Sequence, residues 1–154
     1  MSRKNTLFFL MIGLFIFILV FTACDDETHS YNEFEWSVFE LTNIERTKQG
    51  VAPLRWDDRL GSAARAHSED MSKNNFMNHT GSDGSDPGQR IKRAGFEYST
   101  WGENVAFGQQ TPEEVVAAWM GSPGHRSNIL NSSYTHLGVG FLNNRWTQKF
   151  AASK

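Results

Sequence analysis

The stretch Thr135-His136-Leu137-Gly138-Val139-Gly140-Phe141-Leu142-Asn143-Asn144-Arg145-Trp146-Thr147-Gln148-Lys149-Phe150 decides the fold class. Leu137, Val139 and Phe141 fall on one side at the two-residue period of a strand. Asn143-Asn144 stands where a two-residue hairpin needs side chains that tolerate a positive φ. Arg145 to Phe150 returns, with Trp146, Gln148 and Phe150 on one face. A chain that closes on an antiparallel hairpin after long stretches of helical periodicity is α+β rather than doubly wound.

Just upstream lies Trp119-Met120-Gly121-Ser122-Pro123-Gly124-His125-Arg126-Ser127-Asn128-Ile129-Leu130. Trp119 closes an apolar helix that Thr111-Pro112-Glu113-Glu114 opens, with Thr as N-cap, Pro first and Glu third; Val115, Val116 and Trp119 face inward. Gly121 ends it. Ser122-Pro123 reads as a fresh start, with Ser122 as N-cap and Pro123 at the first helical position. His125 then lies in the first turn, near free backbone N–H groups and a positive dipole end that lowers an imidazole pKa. Asn128, Ile129 and Leu130 tie this segment to the core.

The first half reads as helices joined by short links. Tyr31 to Gln49 is amphipathic, with Phe34, Val38, Leu41 and Ile44 on one face and Gly50 as stop. Pro53-Leu54-Arg55-Trp56 is extended, and Asp57 caps a helix carrying Leu60, Ala63, Ala64, His67 and Met71 inward, to about Asn74-Asn75. His67 reads as a hydrogen-bonded core histidine. Phe76 to Pro87 is a polar loop with His79 near its start. Gln89 to Ala94 is a short helix with Ile91 inward, closed by Gly95. Phe96 to Trp101 is extended, Gly102-Glu103-Asn104-Val105-Ala106 follows, and Gly108 turns.

The chain has 154 residues, enough for one domain with a real core. Its net charge is −2, and setting aside Arg3 and Lys4 leaves it more acidic, so a nucleic-acid partner is excluded. The single cysteine, Cys24, rules out a disulfide within the chain. Arg3-Lys4, the apolar run Leu7 to Phe21 and the small residues Thr22-Ala23 before Cys24 have the form of a secretory signal. Phe21-Thr22-Ala23-Cys24 resembles a bacterial lipobox, in which the cysteine is lipidated and anchors the protein to a membrane. An uncleaved signal anchor and plain secretion are the alternatives, and all three put the domain outside the cytoplasm. The expected organisation is a lipoprotein signal peptide over 1–23, an acidic tether over 24–30 and a folded domain over 31–154.

Motifs scattered over residues 31 to 150 share one further property. Asn43 and Arg46, Pro53-Leu54-Arg55-Trp56-Asp57, His67-Ser68-Glu69-Asp70-Met71 and His79-Thr80-Gly81-Ser82-Asp83-Gly84 occur in order. They are followed by Gly102-Glu103-Asn104, Ser122-Pro123-Gly124-His125-Arg126, Leu137-Gly138-Val139-Gly140 and Trp146-Thr147-Gln148. In this series the chain resembles the CAP superfamily of cysteine-rich secretory proteins, antigen 5 and pathogenesis-related 1 proteins, and its bacterial secreted branch most. The resemblance implies an α-β-α sandwich with a three-stranded antiparallel sheet between helix layers. It also implies a cleft lined by His and Glu, which carries over to His79, Glu103 and His125. Two features depart from the eukaryotic pattern: Ser133 stands where a histidine precedes the late Tyr-Thr, and Met120-Gly121-Ser122 follow Trp119 where a second cleft glutamate is usual. His136 is a weak substitute for the missing histidine.

Two imidazoles and a carboxylate are the ligand types of an open Zn²⁺ or other divalent-cation site, with His79 and His125 as metal ligands. The same three residues suit a polar cluster in which Glu103 orients one imidazole, or in which Glu103 and Asn104 cap backbone N–H groups. Ser82, Ser85, Ser122 and Ser127 are the nearest hydroxyls, and none stands in a nucleophile elbow. A hydrolase would therefore be metal-assisted and peptidase-like. The resemblance favours binding of a lipid or small apolar ligand, a metal or an envelope partner over catalysis. A structural module of the cell envelope is the third reading.

Overall fold

The computed structural model describes residues 32–154; the apolar run, Cys24 and the 24–30 tether lie outside the described residues. Five helices and four strands follow in the order α1 (Glu33–Lys48), β1 (Arg55–Trp56), α2 (Asp58–Lys73), α3 (Pro87–Arg93), β2 (Tyr98–Phe107), α4 (Pro112–Gly121), α5 (Pro123–Ile129), β3 (His136–Leu142) and β4 (Arg145–Ser153). Helix starts follow local chemistry. Asn32 and Glu35 form a capping box on α1, and Asp86 and Gln89 another on α3. Asp57 accepts from the N–H groups of Arg59 and Leu60, and Thr111 from that of Glu114. Ser122 occupies the N-cap position of α5 but makes no side-chain cap bond.

The sheet order is β1-β3-β4-β2. The three long strands are antiparallel, as expected. The fourth is the two-residue β1, which the sequence presents only as an extended link and which pairs parallel with His136 and Leu137. β2 runs ten residues as one strand. Asn143 and Asn144 both have positive φ, at 48° and 59°, which suits the twist of a tight hairpin.

Helices cover both faces. Leu137, Val139, Trp146 and Phe150 point to a core shared with α1, α4 and α5. The opposite face meets α2 and α3, where Leu60, Ile91, Phe96 and Ala151 form a second, smaller core. α2 lies directly on β3: a Cβ on Gly138 would collide with the backbone of Leu60 and Gly61, and one on Gly140 with that of Ala64 and Arg65.

The buried face of α1 differs from the expected stripe. It is Glu35, Val38, Phe39, Thr42 and Arg46, while Phe34 and Ile44 are 42% and 48% exposed. The face is turned because its polar members have fixed partners. Glu35 accepts from Arg65 and from the N–H of Phe141, and Thr42 donates to the carbonyl of Val38. Arg46 donates to the carbonyls of Ala52, Ile129 and Asn131, holding the end of α5. Fully paired polar groups are buried at little net cost, so apolar periodicity alone misreads this face.

Candidate functional site

Strand register builds the site. Glu103 on β2 lies opposite Lys149 on β4, and Lys149 lies opposite Gly138 on β3. Side chains alternate across a strand, so this row faces the α2 layer. β4 is paired on both sides and covered above and below, and Lys149 is 0% exposed. An ammonium there needs a counter-ion, and the Glu103 carboxylate supplies it through a direct Nζ–Oε2 ion pair.

Three further side chains converge on that carboxylate. Arg90 of α3 reaches Glu103 Oε2 at 3.1 Å. His79, from the loop after α2, donates from Nδ1 to Oε1 at 2.8 Å. His67 of α2 donates from Nε2 to the carbonyl of Asn78 at 2.8 Å and stands 4.0 Å from Oε1. Arg90 also donates to the carbonyls of His79 and Ser85, which fixes the loop that carries His79.

The electrostatics follow. Burial pushes the Glu103 carboxyl up, but the His79 hydrogen bond and the Lys149 charge outweigh it, and its pKa ends at about 2. Burial pulls Lys149 down to about 8 against the opposing pull of Glu103. Burial likewise takes His67 to about 4, so that ring is neutral at physiological pH.

His125 comes from the other side of the sheet. Its carbonyl accepts from Asn104 Nδ2 at 3.2 Å, and Asn104 also donates to Gln148, which donates to Thr42 of α1. Asn128 donates to the carbonyl of Glu103 and to Asn104. This amide chain seals the outer edge of β2 and sets α5 beside it. His125 is half-buried. Its pKa is lowered first by burial and next by the charge of His79, so the two imidazoles are electrostatic neighbours. The direction matches the sequence expectation, with burial and the charge of His79 as its causes.

The structure thus joins His79 to Glu103 by a hydrogen bond, while His125 is tied to β2 through its carbonyl, which accepts from Asn104. Glu103 orients an imidazole, and both it and Asn104 bond groups other than backbone N–H donors. With Nδ1 committed to Glu103, His79 presents Nε2 outward from a side chain 54% exposed. Among the described residues, no group of three or more His, Cys, Asp or Glu is placed to hold a metal ion. His136 is elsewhere: it bonds Thr135 and its ring packs on Phe96. Ser133 is exposed, and its N–H donates to Asn131. Ser82 is held by Asp70 and Ser85 by Arg90. Lys149 and Arg90 were not marked by their spacing. The one available signal was a lysine inside an apolar strand, which becomes informative once that strand is known to be central.

Residues 39–152 match the CAP family, described as the cysteine-rich secretory protein family. YkwD of Bacillus subtilis (strain 168) is 50% identical over 123 residues, covering 79% of this chain and 48% of that protein. The crystal structure of an extracellular protein containing an SCP domain from Bacillus anthracis superposes with TM-score 0.76 at 34% identity, over 77% of this chain and 40% of that one. An outer surface protein from Borrelia burgdorferi shares the fold at TM-score 0.70 and 24% identity, over 76% of this chain and 90% of that one. The chain spans about half the length of the Bacillus subtilis protein. Among the described residues, no helix is long and apolar enough to cross a membrane.

Proposed function

The chain belongs to the CAP family, and on that premise we propose that its folded part is an exported ligand-binding domain. Its site is the His79–His125 pair at the edge of β2, and its ligand is a lipid or small apolar molecule with an acidic or hydrogen-bond-accepting head group. One observation carries this reading: the Glu103 carboxylate is already saturated by Lys149, Arg90 and His79. Two cations share one carboxylate, so the floor of the site carries surplus positive charge before either imidazole takes a proton. Such a floor repels a divalent cation and attracts an anionic head group. The expected Zn²⁺ set shrinks to two imidazoles, short of the three protein ligands usual at a catalytic zinc, which also weakens the metal-assisted hydrolase reading.

Export is supported by the signal-like N-terminus and by the description of the Bacillus anthracis relative as extracellular. Lipidation at Cys24 is the anchor we propose. Cys24→Ser is expected to block processing and membrane retention, and unchanged processing and attachment would remove the anchor.

The binding test is a titration of the full chain in detergent with butanoate, followed through the ¹⁵N resonances of the histidine rings. Saturable shifts at His79 and His125 that disappear in His79→Ala are expected. Absence of saturation, or shifts indifferent to His79→Ala, would overturn the reading.

A further inference from the structure

Five large apolar side chains stand exposed among the described residues, and four of them gather at one end of the sheet. Phe107 and Leu142 flank Arg145 in the last row before the Asn143-Asn144 turn. They are 53% and 38% exposed. The Arg145 guanidinium lies 4.4 Å from the centre of the Phe107 ring and donates to Asn75 at the end of α2, which fixes the ring at the rim of the sheet. Met77, two residues beyond Asn75, is 55% exposed. On the other face of the sheet, Phe34 of α1 packs on Phe141 and Trp146, with ring centres 5.1 and 6.1 Å away, and is still exposed. Exposed apolar residues scattered singly are ordinary, but four around one turn form a patch.

The place where the chain enters the fold says what meets this patch. α1 begins at Glu33, at this same end, and Cys24 stands eight residues before Asn32. Eight residues span at most about 28 Å. A chain held in a bilayer at Cys24, or by the apolar run Leu7 to Phe21, therefore keeps this end of the sheet close to the membrane. The side chains suit that position. Phe and Leu bury at the boundary between head groups and acyl chains, while the amides of Asn143 and Asn144 stay among the head groups. The exposed charges of this end include Glu33, Glu113 and Glu114 against Lys73, acidic in sum, so the contact is apolar and favours a zwitterionic surface over an anionic one.

We propose that this end of the sheet, through Phe34, Met77, Phe107 and Leu142, seats on the bilayer to which the N-terminus holds the chain. The proposal rests on the membrane-anchored reading of residues 1–24. In this pose β2 rises from the membrane. At about 3.3 Å per residue, Glu103 and the His79 ring bonded to it stand about 13 Å above Phe107, just clear of the head groups.

The test uses the isotope-labelled full chain, made by cell-free synthesis in the presence of phosphatidylcholine nanodiscs that carry 5-doxyl phosphatidylcholine. Co-purification with the discs reads the anchor, and the pattern of paramagnetic broadening reads the seat. The nine residues of β4 set the two ends of the sheet about 30 Å apart, so broadening at the amides of Gly108, Leu142 and Asn143 should exceed that at Glu97 and Thr135 by about tenfold or more. Phe107→Ser combined with Leu142→Ser should bring it down to the level of Glu97 and Thr135, with co-purification unchanged. Both side chains are exposed, and unaltered shifts at Glu97 and Thr135 will show that the fold is intact. Discs that capture the chain with equal broadening at both ends would overturn the seat and leave the anchor standing. Broadening that survives the double substitution would also overturn the seat. So would shifts at Gly108 and Asn143 that grow with protein concentration in detergent alone, the mark of a second copy on the patch. A chain that the discs do not retain would overturn anchor and seat together.

Discussion

Replacing Glu103 by Gln is the perturbation that probes the site most deeply. The side chain keeps its shape but loses its charge, leaving Lys149 at 0% exposure with no anion and Arg90 without its carboxylate. Removing one partner of a buried pair costs about 3–5 kcal/mol, because the remaining ion is stranded away from water. Against a whole-domain stability of roughly 5–15 kcal/mol, that is a large share. With a urea dependence of about 2 kcal/mol/M, the unfolding midpoint of the full chain should fall by about 2 M. The assay is urea unfolding of four proteins: wild type, Glu103→Gln, Lys149→Met and the double variant. Lys149→Met removes the stranded ammonium, so the double variant should recover a good part of what Glu103→Gln loses. A Glu103→Gln loss below about 1 kcal/mol, or two single losses that simply add, would refute the claim that this carboxylate exists to neutralise the buried lysine.

Acid should weaken the fold in two overlapping stages. His67 is held at about 4, below its unfolded value, so the unfolded chain takes the proton first and stability falls as pH drops from about 6.5 towards 4. Glu103 is held at about 2, so its contribution is complete above about 4.5 and is lost as pH falls towards 2. Urea midpoints across that range should decline throughout, and Glu103→Gln should make the lower stage shallower, Asp57 and Asp70 still contributing to it because their carboxyls are also held below the usual range; a flat profile would contradict both assignments. Separately, Gly138→Ala should destabilise by about 1–3 kcal/mol or more, because its methyl meets the backbone of α2 rather than a side chain that can swing away. A midpoint equal to wild type would show that α2 does not sit on β3 as described.

Much of the architecture is legible in the residues because the signals are local. The caps at Asp57 and Thr111, the Asn143-Asn144 turn and the alternation of Leu137 and Val139 each specify their structure without help from distant segments. The face of α1 is not local. Thr42 and Arg46 are buried because Gln148 and the carbonyls at the end of α5 await them, and a helical wheel contains neither fact. β1 is two residues long and is a strand only because β3 offers an edge. In the site, the family resemblance carries over His79, Glu103 and His125 together, and the hydrogen bond between His79 and Glu103 is the link the structure draws among them. Their division of labour was not legible, since it depends on Lys149 lying opposite Glu103 across a register that sequence order does not reveal.

Glu103 is spent inside the protein, paired with Lys149, Arg90 and His79, which leaves only the imidazoles for a ligand. Calorimetric titration of the metal-free full chain with Zn²⁺ tests this most directly. Two imidazoles over a cationic floor predict no stoichiometric site, with any affinity weaker than about 100 μM. One zinc per chain at about micromolar or tighter, abolished by His79→Ala and by His125→Ala, would contradict it.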